Sequence, residues 1–251
     1  MINLKTALKN NKLTLGSWIS LYNASIAEIM ARAGFEWLAV DMEHSSITFS
    51  QAQQLIQTIE LSSVVPLVRL SENNAVMIKR AMDAGAHGVI VPMVNSREDA
   101  QTAVDSVKYP PQGKRGVGLY RAQGYGFNFK GYKNWLTKES VVIVQIEHIE
   151  AINNLHEILS VPGVDGSIIG PYDLSASLGR PGEFDAPEVK EAIKAYESCC
   201  KKLKKTMGFH VVYPEAKKVK FYKSKGYKLL AVGLDSIYLG QKCREVLSSI
   251  G

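Results

Sequence analysis

Short runs of β-branched and aliphatic residues alternate along the chain with stretches in which apolar residues recur every three or four positions. The runs predict β-strands, and the periodic stretches predict amphipathic helices. The eight predicted strands are Leu13–Ile19, Trp37–Met42, Val65–Leu70, Gly88–Val94, Val141–Glu147, Val164–Gly170, Met207–Val212 and Leu229–Leu234. The eight predicted helices are Ser25–Ala33, Ser50–Leu61, Asn74–Ala84, Arg97–Ser106, Ile149–Leu159, Glu188–Lys204, Pro214–Ser224 and Ser236–Ser248.

Eight strand–helix units in 251 residues predict a TIM (β/α)8 barrel. Strands such as Val141–Glu147 are apolar on both faces, which is typical of parallel strands covered by helices. The alternative is an open, doubly wound sheet, which the count of eight and the absence of a G-x-G-x-x-G motif after the first strand disfavour. No Pro-, Gly- or Ser-rich linker divides the chain, so we expect one α/β domain over residues 1–251. Tyr109–Tyr132 is the one long irregular stretch, and such loops usually form lids or interfaces.

The composition is that of an ordinary globular protein, with 46% hydrophobic and 22% charged residues. No apolar run approaches the ~18 residues of a membrane span, and the N-terminal residues lack a signal-peptide core. The three cysteines include the adjacent pair Cys199 and Cys200, and none has a C-x-x-C spacing, which argues against disulfides and thiolate metal sites. We therefore expect a cytoplasmic protein with no membrane partner.

The net charge of +6 raises the question of a nucleic-acid partner. Between Lys190 and Lys228 the chain carries twelve Lys and only three acidic residues, an excess larger than that of the whole chain. Most of these lysines fall on two predicted outer helices. We therefore expect a solvated surface away from the strand ends, and no nucleic-acid partner.

Polar side chains follow several predicted strands at the point where each strand ends. In a TIM barrel the carboxyl ends of the strands form the rim that carries the active site. The residues at these ends are Asp41, Glu43, His44, Arg69, Gln145, Glu147, Gly170, Tyr172 and Asp173. Their convergence at one rim predicts an active site there.

Glu147 and Asp173 follow two neighbouring strands and provide an oxygen-rich site without thiolates. Such a site suits a hard divalent ion such as Mg²⁺ or Mn²⁺, with positions left open for substrate and water. The alternative is that Glu147 pairs with a lysine or caps the helix that begins near Ile149.

Arg69 ends an apolar strand, where a guanidinium is costly to bury without an anionic partner. Its planar donors suit a substrate carboxylate or a developing oxyanion. The alternative, a salt bridge to Asp41 or Glu43, is compatible with that role because the carboxylate could hold the arginine in place.

His44 is the histidine best placed for proton transfer, because Asp41 or Glu43 could orient its ring. His87, His148 and His156 lie on helices or at their ends, where surface or capping roles are expected. His210 lies inside a strand, where we expect a hydrogen-bonded core histidine.

Six motifs occur in order at the spacing of barrel units: VDMEH at 40–44, VRL at 68–70, DAGAHGVIVPMV at 83–94, RGVG at 115–118, VQIE at 144–147 and GPYDLSASLG at 170–179. Together these strings resemble the HpcH/HpaI aldolases, which are class II, metal-dependent enzymes that act on pyruvate. The resemblance runs from residue 16 to residue 236.

The resemblance implies a role for each matching position. Glu147 and Asp173 would bind a divalent ion (Mg²⁺ or Mn²⁺, possibly Co²⁺ or Zn²⁺), Arg69 would stabilise the pyruvate enolate, and His44, supported by Asp41, would act as general base. Gln145 would contact the pyruvyl group, Gly170 and Tyr172 would offer main-chain contacts to its carboxylate, and Asp83 would reach a neighbouring subunit. The resemblance also implies a homo-hexamer, or another homo-oligomer, in which the last helix is exchanged between subunits.

The sequence departs from the family pattern at two places. Tyr172 stands where many members have alanine, and the segment 119–126 after RGVG is unusually rich in aromatic residues and glycine. We expect that segment to shape the aldehyde side of the active site.

The predicted function is a carbon–carbon lyase that cleaves a 4-hydroxy-2-oxo acid to pyruvate and an aldehyde, or condenses the two. No lysine lies within the strand-end motifs, which disfavours a Schiff-base route. The alternatives are a related enolate-forming enzyme, such as an acyl-CoA lyase or a decarboxylase, and a non-enzymatic basic binding module.

Overall fold

Eight parallel strands close into a barrel in chain order in the computed structural model, which describes residues 1–250. The strands are β1 (Thr14–Ile19), β2 (Trp37–Asp41), β3 (Val65–Arg69), β4 (Gly88–Val91), β5 (Val141–Ile146), β6 (Gly166–Ile169), β7 (Thr206–Val211) and β8 (Leu229–Leu234). β1 pairs with β8 and closes the sheet. The predicted TIM-type α/β barrel is therefore confirmed, with Gly251 outside the described residues.

Helices cover the outside of the barrel and plug one end. They are α1 (Leu4–Lys9), α2 (Ala24–Arg32), α3 (Phe49–Leu61), α4 (Ala75–Asp83), α5 (Arg97–Val107), α6 (Phe129–Lys138), α7 (Ile149–Asn153), α8 (Leu155–Ser160), α9 (Pro171–Ser177), α10 (Pro187–Leu203), α11 (Ala216–Lys225) and α12 (Asp235–Ser248). None of these helices is long and apolar enough to span a membrane.

Two apolar layers hold the barrel together. Alternate strand residues such as Trp37, Leu67 and Ile143 form a cluster within the barrel, and the other strand residues pack against the helices. Leu4 and Leu8 of α1 join the inner cluster, and the carbonyl of Leu8 accepts a hydrogen bond from Thr206 of β7. α1 was not predicted, because six residues carry too little helical periodicity.

Two predicted boundaries were wrong for local reasons. β4 ends at Val91 instead of Val94, because Pro92 has no N–H to donate and Met93 has a positive φ of 50°. The predicted helix Ile149–Leu159 is broken at Asn154, whose side-chain amide donates to the carbonyl of Asn95.

The segment Tyr109–Tyr132 is less irregular than expected. It contains a 3-10 turn at Arg121–Gln123 and the first residues of α6. Arg115 anchors it, because one Nη donates to Asp83 at 2.8 Å and the other to the Tyr132 hydroxyl at 2.7 Å, while the guanidinium lies 4.4 Å from the centre of the Tyr109 ring.

Candidate active site

A cavity of about 610 Å³ opens at the carboxyl ends of the strands. Seven of the predicted site residues line it: His44, Arg69, Gln145, Glu147, Gly170, Tyr172 and Asp173. The location is the one expected for the active site of a TIM barrel. Asp41 lies directly behind Arg69, and Asp83 lies elsewhere.

Arg69 is held by Asp41 in a two-bond ion pair. The two residues lie opposite each other in the β2–β3 register, and Arg69 donates from Nε to Asp41 Oδ1 at 2.9 Å and from Nη2 to Oδ2 at 2.7 Å. Burial raises the pKa of Asp41, but Arg69, together with the backbone N–H groups of His44 and Glu43, outweighs burial and leaves that pKa below its ordinary value. The guanidinium also lies 4.4 Å from the centre of the Trp18 ring. Arg69 is thus rigidly placed with part of its donor set left for a substrate.

Asp41 orders the loop after β2 but does not orient the His44 ring. Its Oδ1 accepts hydrogen bonds from the backbone N–H groups of Glu43 and His44, at 3.0 and 3.2 Å. The acid nearest the ring is Glu43, whose Oε2 lies 3.8 Å from His44 Nε2. Of the two acids that were expected to orient the His44 ring, Glu43 is therefore the nearer, and Asp41 supports His44 through its backbone N–H.

Glu147 is almost fully buried and accepts two hydrogen bonds. Oε1 accepts from the Met93 N–H at 2.7 Å, and Oε2 accepts from the Gln145 side-chain amide at 2.8 Å. No ion pair with a lysine occurs in the described residues, and the residue that caps α7 is His148, whose Nδ1 accepts from the Glu150 N–H. Both alternatives considered for Glu147 are thus wrong, and its carboxylate faces the cavity.

Burial and neighbouring negative charges raise the pKa of two carboxyl groups at the rim, those of Glu43 and Glu147. Burial raises the pKa of Glu147, and the negative charges of Glu43 and Asp173 raise it further against the Met93 hydrogen bond. Burial also raises the pKa of Glu43, as do the charges of Asp41 and Asp173, and Arg69 opposes these effects. The charge of Asp173 thus acts on both glutamates, and Glu147 and Asp173 line the same cavity.

This donor set fits a divalent cation. A cation would offset the repulsion between the carboxylates, and oxygen ligands suit Mg²⁺ or Mn²⁺. Residues 1–250 contain no group of three or more His, Cys, Asp or Glu side chains arranged as a complete metal site. Glu147 and Asp173 could therefore supply only part of a coordination sphere, and substrate and water would supply the rest.

Gly170 has a packing role, and its expected main-chain contact to the substrate remains a prediction. Its N–H donates to the Ile146 carbonyl, and its own carbonyl accepts from the N–H of Leu174. A Cβ at this position would lie 2.9 Å from Glu147 Cβ and 3.0 Å from Glu147 Oε2. Glycine therefore lets α9 begin directly beside the buried carboxylate.

Tyr172 forms part of an aromatic wall at the mouth of the cavity. Its ring packs edge-on against Phe184, with 4.8 Å between ring centroids, and remains half exposed. The side chain thus narrows the entrance, as its size predicts.

His210 is largely buried and hydrogen-bonded, as expected, and it also lines the cavity. Its Nε2 lies 3.1 Å from the Gly233 carbonyl, and its ring packs edge-on against Trp18. Burial lowers the pKa of His210 to about 4, so it is neutral near pH 7. Strand alternation could have predicted the position at the cavity, because His210 and Gly208 lie on the same face of β7, and Gly208 pairs with Leu229 of the inner cluster.

Trp18 and Lys218 line the cavity but were not predicted as site residues. Glu43, which was expected at this rim as a partner of Arg69 or His44, has its Oε2 3.3 Å from Arg69 Nη1. Lys218 belongs to α11, one of the lysine-rich helices that were expected to lie away from the strand ends, yet it lines the cavity.

Asp83 does not line the cavity of its own chain. It ends α4 and forms the ion pair with Arg115 that anchors the 109–132 segment. No residue of that segment lines the cavity either, so within one chain it does not shape the aldehyde side. A role for Asp83 at a neighbouring subunit remains a prediction.

Comparisons with known proteins agree with this architecture. The sequence profile described as HpcH/HpaI aldolase/citrate lyase matches residues 14–240. A crystal structure of an HpcH/HpaI aldolase/citrate lyase family protein from Burkholderia cenocepacia J2315 superposes with a TM-score of 0.94 at 30% identity, covering 100% of this chain and 99% of the other.

Two curated relatives are similar over nearly their whole length. The 2-dehydro-3,6-dideoxy-6-sulfogluconate aldolase of Pseudomonas putida is 38% identical over 97% of this chain and 94% of its own. The 4-hydroxy-2-oxo-heptane-1,7-dioate aldolase of Shigella sonnei (strain Ss046) is 36% identical over 99% of this chain and 95% of its own. The chain therefore belongs to the HpcH/HpaI aldolase/citrate lyase family.

Proposed function

We propose that this carbon–carbon lyase is a metal-dependent aldolase that cleaves a 4-hydroxy-2-oxo acid to pyruvate and an aldehyde, or condenses the two. The observation that carries the proposal is the meeting of Arg69, Glu147 and Asp173 at the wall of one cavity. The Shigella sonnei relative is an aldolase named for a 4-hydroxy-2-oxo acid, which supports the substrate class. Family membership also argues against a non-enzymatic basic binding module.

Glu147 and Asp173 would hold the divalent ion. When bound, such an ion polarises a keto oxygen and stabilises negative charge on it. The hydrogen bonds from Met93 and Gln145 fix the Glu147 carboxylate, so that it needs little reorganisation to bind a cation.

Arg69 would bind the keto oxygen of the substrate and stabilise the enolate. Of its five N–H groups, the ion pair with Asp41 uses two. Because Asp41 and the Trp18 ring fix the guanidinium, its remaining donors are aimed before substrate arrives. Donors fixed in this way favour the charge that develops in the transition state.

His44 would take the proton from the 4-hydroxyl group, directly or through a water molecule. The C3–C4 bond then breaks, its electron pair forms the pyruvate enolate, and the 4-hydroxyl oxygen becomes the aldehyde carbonyl. The enolate is protonated at C3 to give pyruvate. Glu43, the acid nearest to His44 Nε2, would orient the ring, and Gln145 would contact the pyruvyl group.

We also propose that the chain forms a homo-oligomer through α12. Every residue from Gln241 to Ile250 is exposed, and Leu239, Val246 and Leu247 are 60%, 46% and 70% exposed. A helix segment of this length is marginal in water without tertiary packing. A second copy of the chain, which could exchange the helix, would cover this apolar stripe.

The experiment that tests the function measures pyruvate released from a 4-hydroxy-2-oxo acid before and after chelation. Chelation should abolish release, and Mg²⁺, Mn²⁺, Co²⁺ or Zn²⁺ should restore it to differing extents. Asp173→Asn should weaken Mn²⁺ binding at least tenfold in calorimetry, because a neutral amide replaces an anionic ligand. Asp185→Asn is the matched control, since Asp185 is fully exposed and does not line the cavity. An unaltered affinity in Asp173→Asn would remove Asp173 from the ligand set.

A further inference from the structure

The cavity has two chemically different ends. Its buried end contains Arg69, Gln145 and Glu147. Gln145 and Glu147 are each only 4% exposed. Its mouth is aromatic and more open, with Phe184 36% exposed and Tyr213 53% exposed. The proposed keto-acid chemistry occupies the buried end, so the mouth faces the remainder of the substrate.

The volume exceeds what a pyruvyl group requires. About 610 Å³ falls within the ~300–1,000 Å³ of pockets that hold drug-sized ligands. Tyr213 and Tyr222 both line the cavity, and the ring of Tyr222 stacks on Phe209 with 3.7 Å between the ring centroids. A wall of this kind suits a short carbon chain lying between the reacting carbonyl and a distal group.

Lys218 supplies a positive charge at the mouth. Among the described lysines and arginines, only Arg69 and Lys218 line the cavity, and Arg69 belongs to the buried end, where the proposed function assigns it to the keto oxygen. Lys218 Nζ lies 2.8 Å from Glu215 Oε1, but both side chains are about half exposed. Such a surface pair contributes little energy, so the ammonium can exchange Glu215 for another anion.

The surroundings of Lys218 also favour anions. α10, α11 and the loops next to them carry the twelve lysines between residues 190 and 228, against three acidic residues. A predominantly positive surface beside a cleft raises the local concentration of anionic ligands. The buried end, by contrast, is rich in carboxylates, so an anionic group far from the keto acid is accommodated best at the mouth.

We propose that Lys218 binds a terminal anionic group of the acceptor aldehyde, with the carbon chain of the aldehyde lying along the wall formed by Tyr213 and Tyr222. The assignment rests on the proposed aldolase function and adds a specificity-determining residue to it. A carboxylate and a phosphate share the chemistry that Lys218 recognises, and matched acceptors distinguish them.

The test compares kcat/KM for two pairs of acceptors in the condensation with pyruvate. The pairs are succinic semialdehyde with butanal, and D-glyceraldehyde 3-phosphate with D-glyceraldehyde, and each pair contrasts an anionic acceptor with a neutral one. The wild-type enzyme should prefer the anionic member of at least one pair. Lys218→Gln should lower that anionic-to-neutral ratio about tenfold, and the pair that responds identifies the terminal group.

Lys220→Gln is the matched control, because it removes the same charge from an exposed position of α11 outside the cavity. Its ratio should equal that of the wild type. A wild-type ratio in Lys218→Gln, an equal fall in both variants, or no preference in the wild-type enzyme would overturn the assignment of Lys218. Absence of product with all four acceptors would instead contradict the aldolase function on which it rests.

Discussion

At the scale of single residues, Arg69 can form a salt bridge with Asp41 and also bind the substrate. The ion pair with Asp41 satisfies a guanidinium that is only 15% exposed, and the same pair aims its other donors at the cavity. Removing one partner of such a pair leaves the other charge buried, at a cost of about 3–5 kcal/mol. A conservative Arg69→Lys substitution therefore reports on catalysis more cleanly than truncation to alanine.

His210 gives a prediction about pH and stability. Burial lowers the pKa of His210 in the folded state to about 4, from the ordinary 6.5. Between these two values the unfolded chain binds a proton that the folded chain does not, so the free energy of unfolding rises with pH across this window. His210 contributes about 3 kcal/mol to that rise, at ~1.4 kcal/mol per pH unit.

His210→Gln should remove most of this contribution, because glutamine can still donate to the Gly233 carbonyl but does not titrate. Urea unfolding at pH 4.5 and pH 7 measures the difference. His156→Gln is the control, since His156 is exposed and distant from the cavity. An unchanged difference between the two pH values in His210→Gln would show that His210 is protonated in the folded state.

At the scale of elements, β1 contains a position that admits only glycine. A Cβ at Gly16 would lie 2.0 Å from the ring of Trp37, which is fully buried in the neighbouring strand β2. Gly16→Ala should lower the free energy of unfolding by about 3 kcal/mol, at the upper end of overpacking costs. Gly116→Ala is the control, because nothing lies within 4 Å of a Cβ there. Equal stability of the two variants in urea unfolding would contradict this packing of β1 on β2.

The strands and most helices were predictable because each pattern is local. Runs such as Val141–Ile146 are buried on both faces, which is the pattern of a parallel strand covered by helices. Element ends were less predictable because they depend on tertiary partners. β4 stops where the Met93 N–H turns toward Glu147, a contact between units that are far apart in sequence.

The sequence predicted which residues meet at the site, but not which hydrogen bonds they form with one another. The rule that strand ends carry the chemistry placed Arg69, Glu147 and Asp173 around one cavity. It could not predict that Asp41 bonds the backbone of the loop and Arg69 instead of the His44 ring, because that depends on the path of the loop. Lys218 was missed because a lysine-rich helix gives no sign of which lysine turns toward the barrel.

At the scale of the whole molecule, we expect the last helix, α12, to determine assembly. The exposed apolar residues of α12, among them Leu239 and Val246, share one face of the helix. Val246→Glu should reduce the mass of the particle measured by light scattering, because a charge would enter the contact between copies. Gln241→Glu places the same charge on the opposite face of α12 and should leave the mass unchanged. A wild-type protein that is monomeric at micromolar concentration would contradict the proposed oligomer.

Formation of a metal-dependent pyruvate enolate is tested most directly by the exchange of the pyruvate methyl protons with deuterated water, followed by proton NMR. The exchange requires only enolate formation, so it examines the buried end of the cavity without an aldehyde. With Mg²⁺ the wild-type enzyme should exchange these protons, chelation should stop the exchange, and added Mg²⁺ should restore it. Arg69→Lys should slow the exchange about a hundredfold, as loss of a fixed donor to an oxyanion does. Exchange that persists after exhaustive chelation, or at the wild-type rate in Arg69→Lys, would contradict a metal-dependent pyruvate enolate at this site.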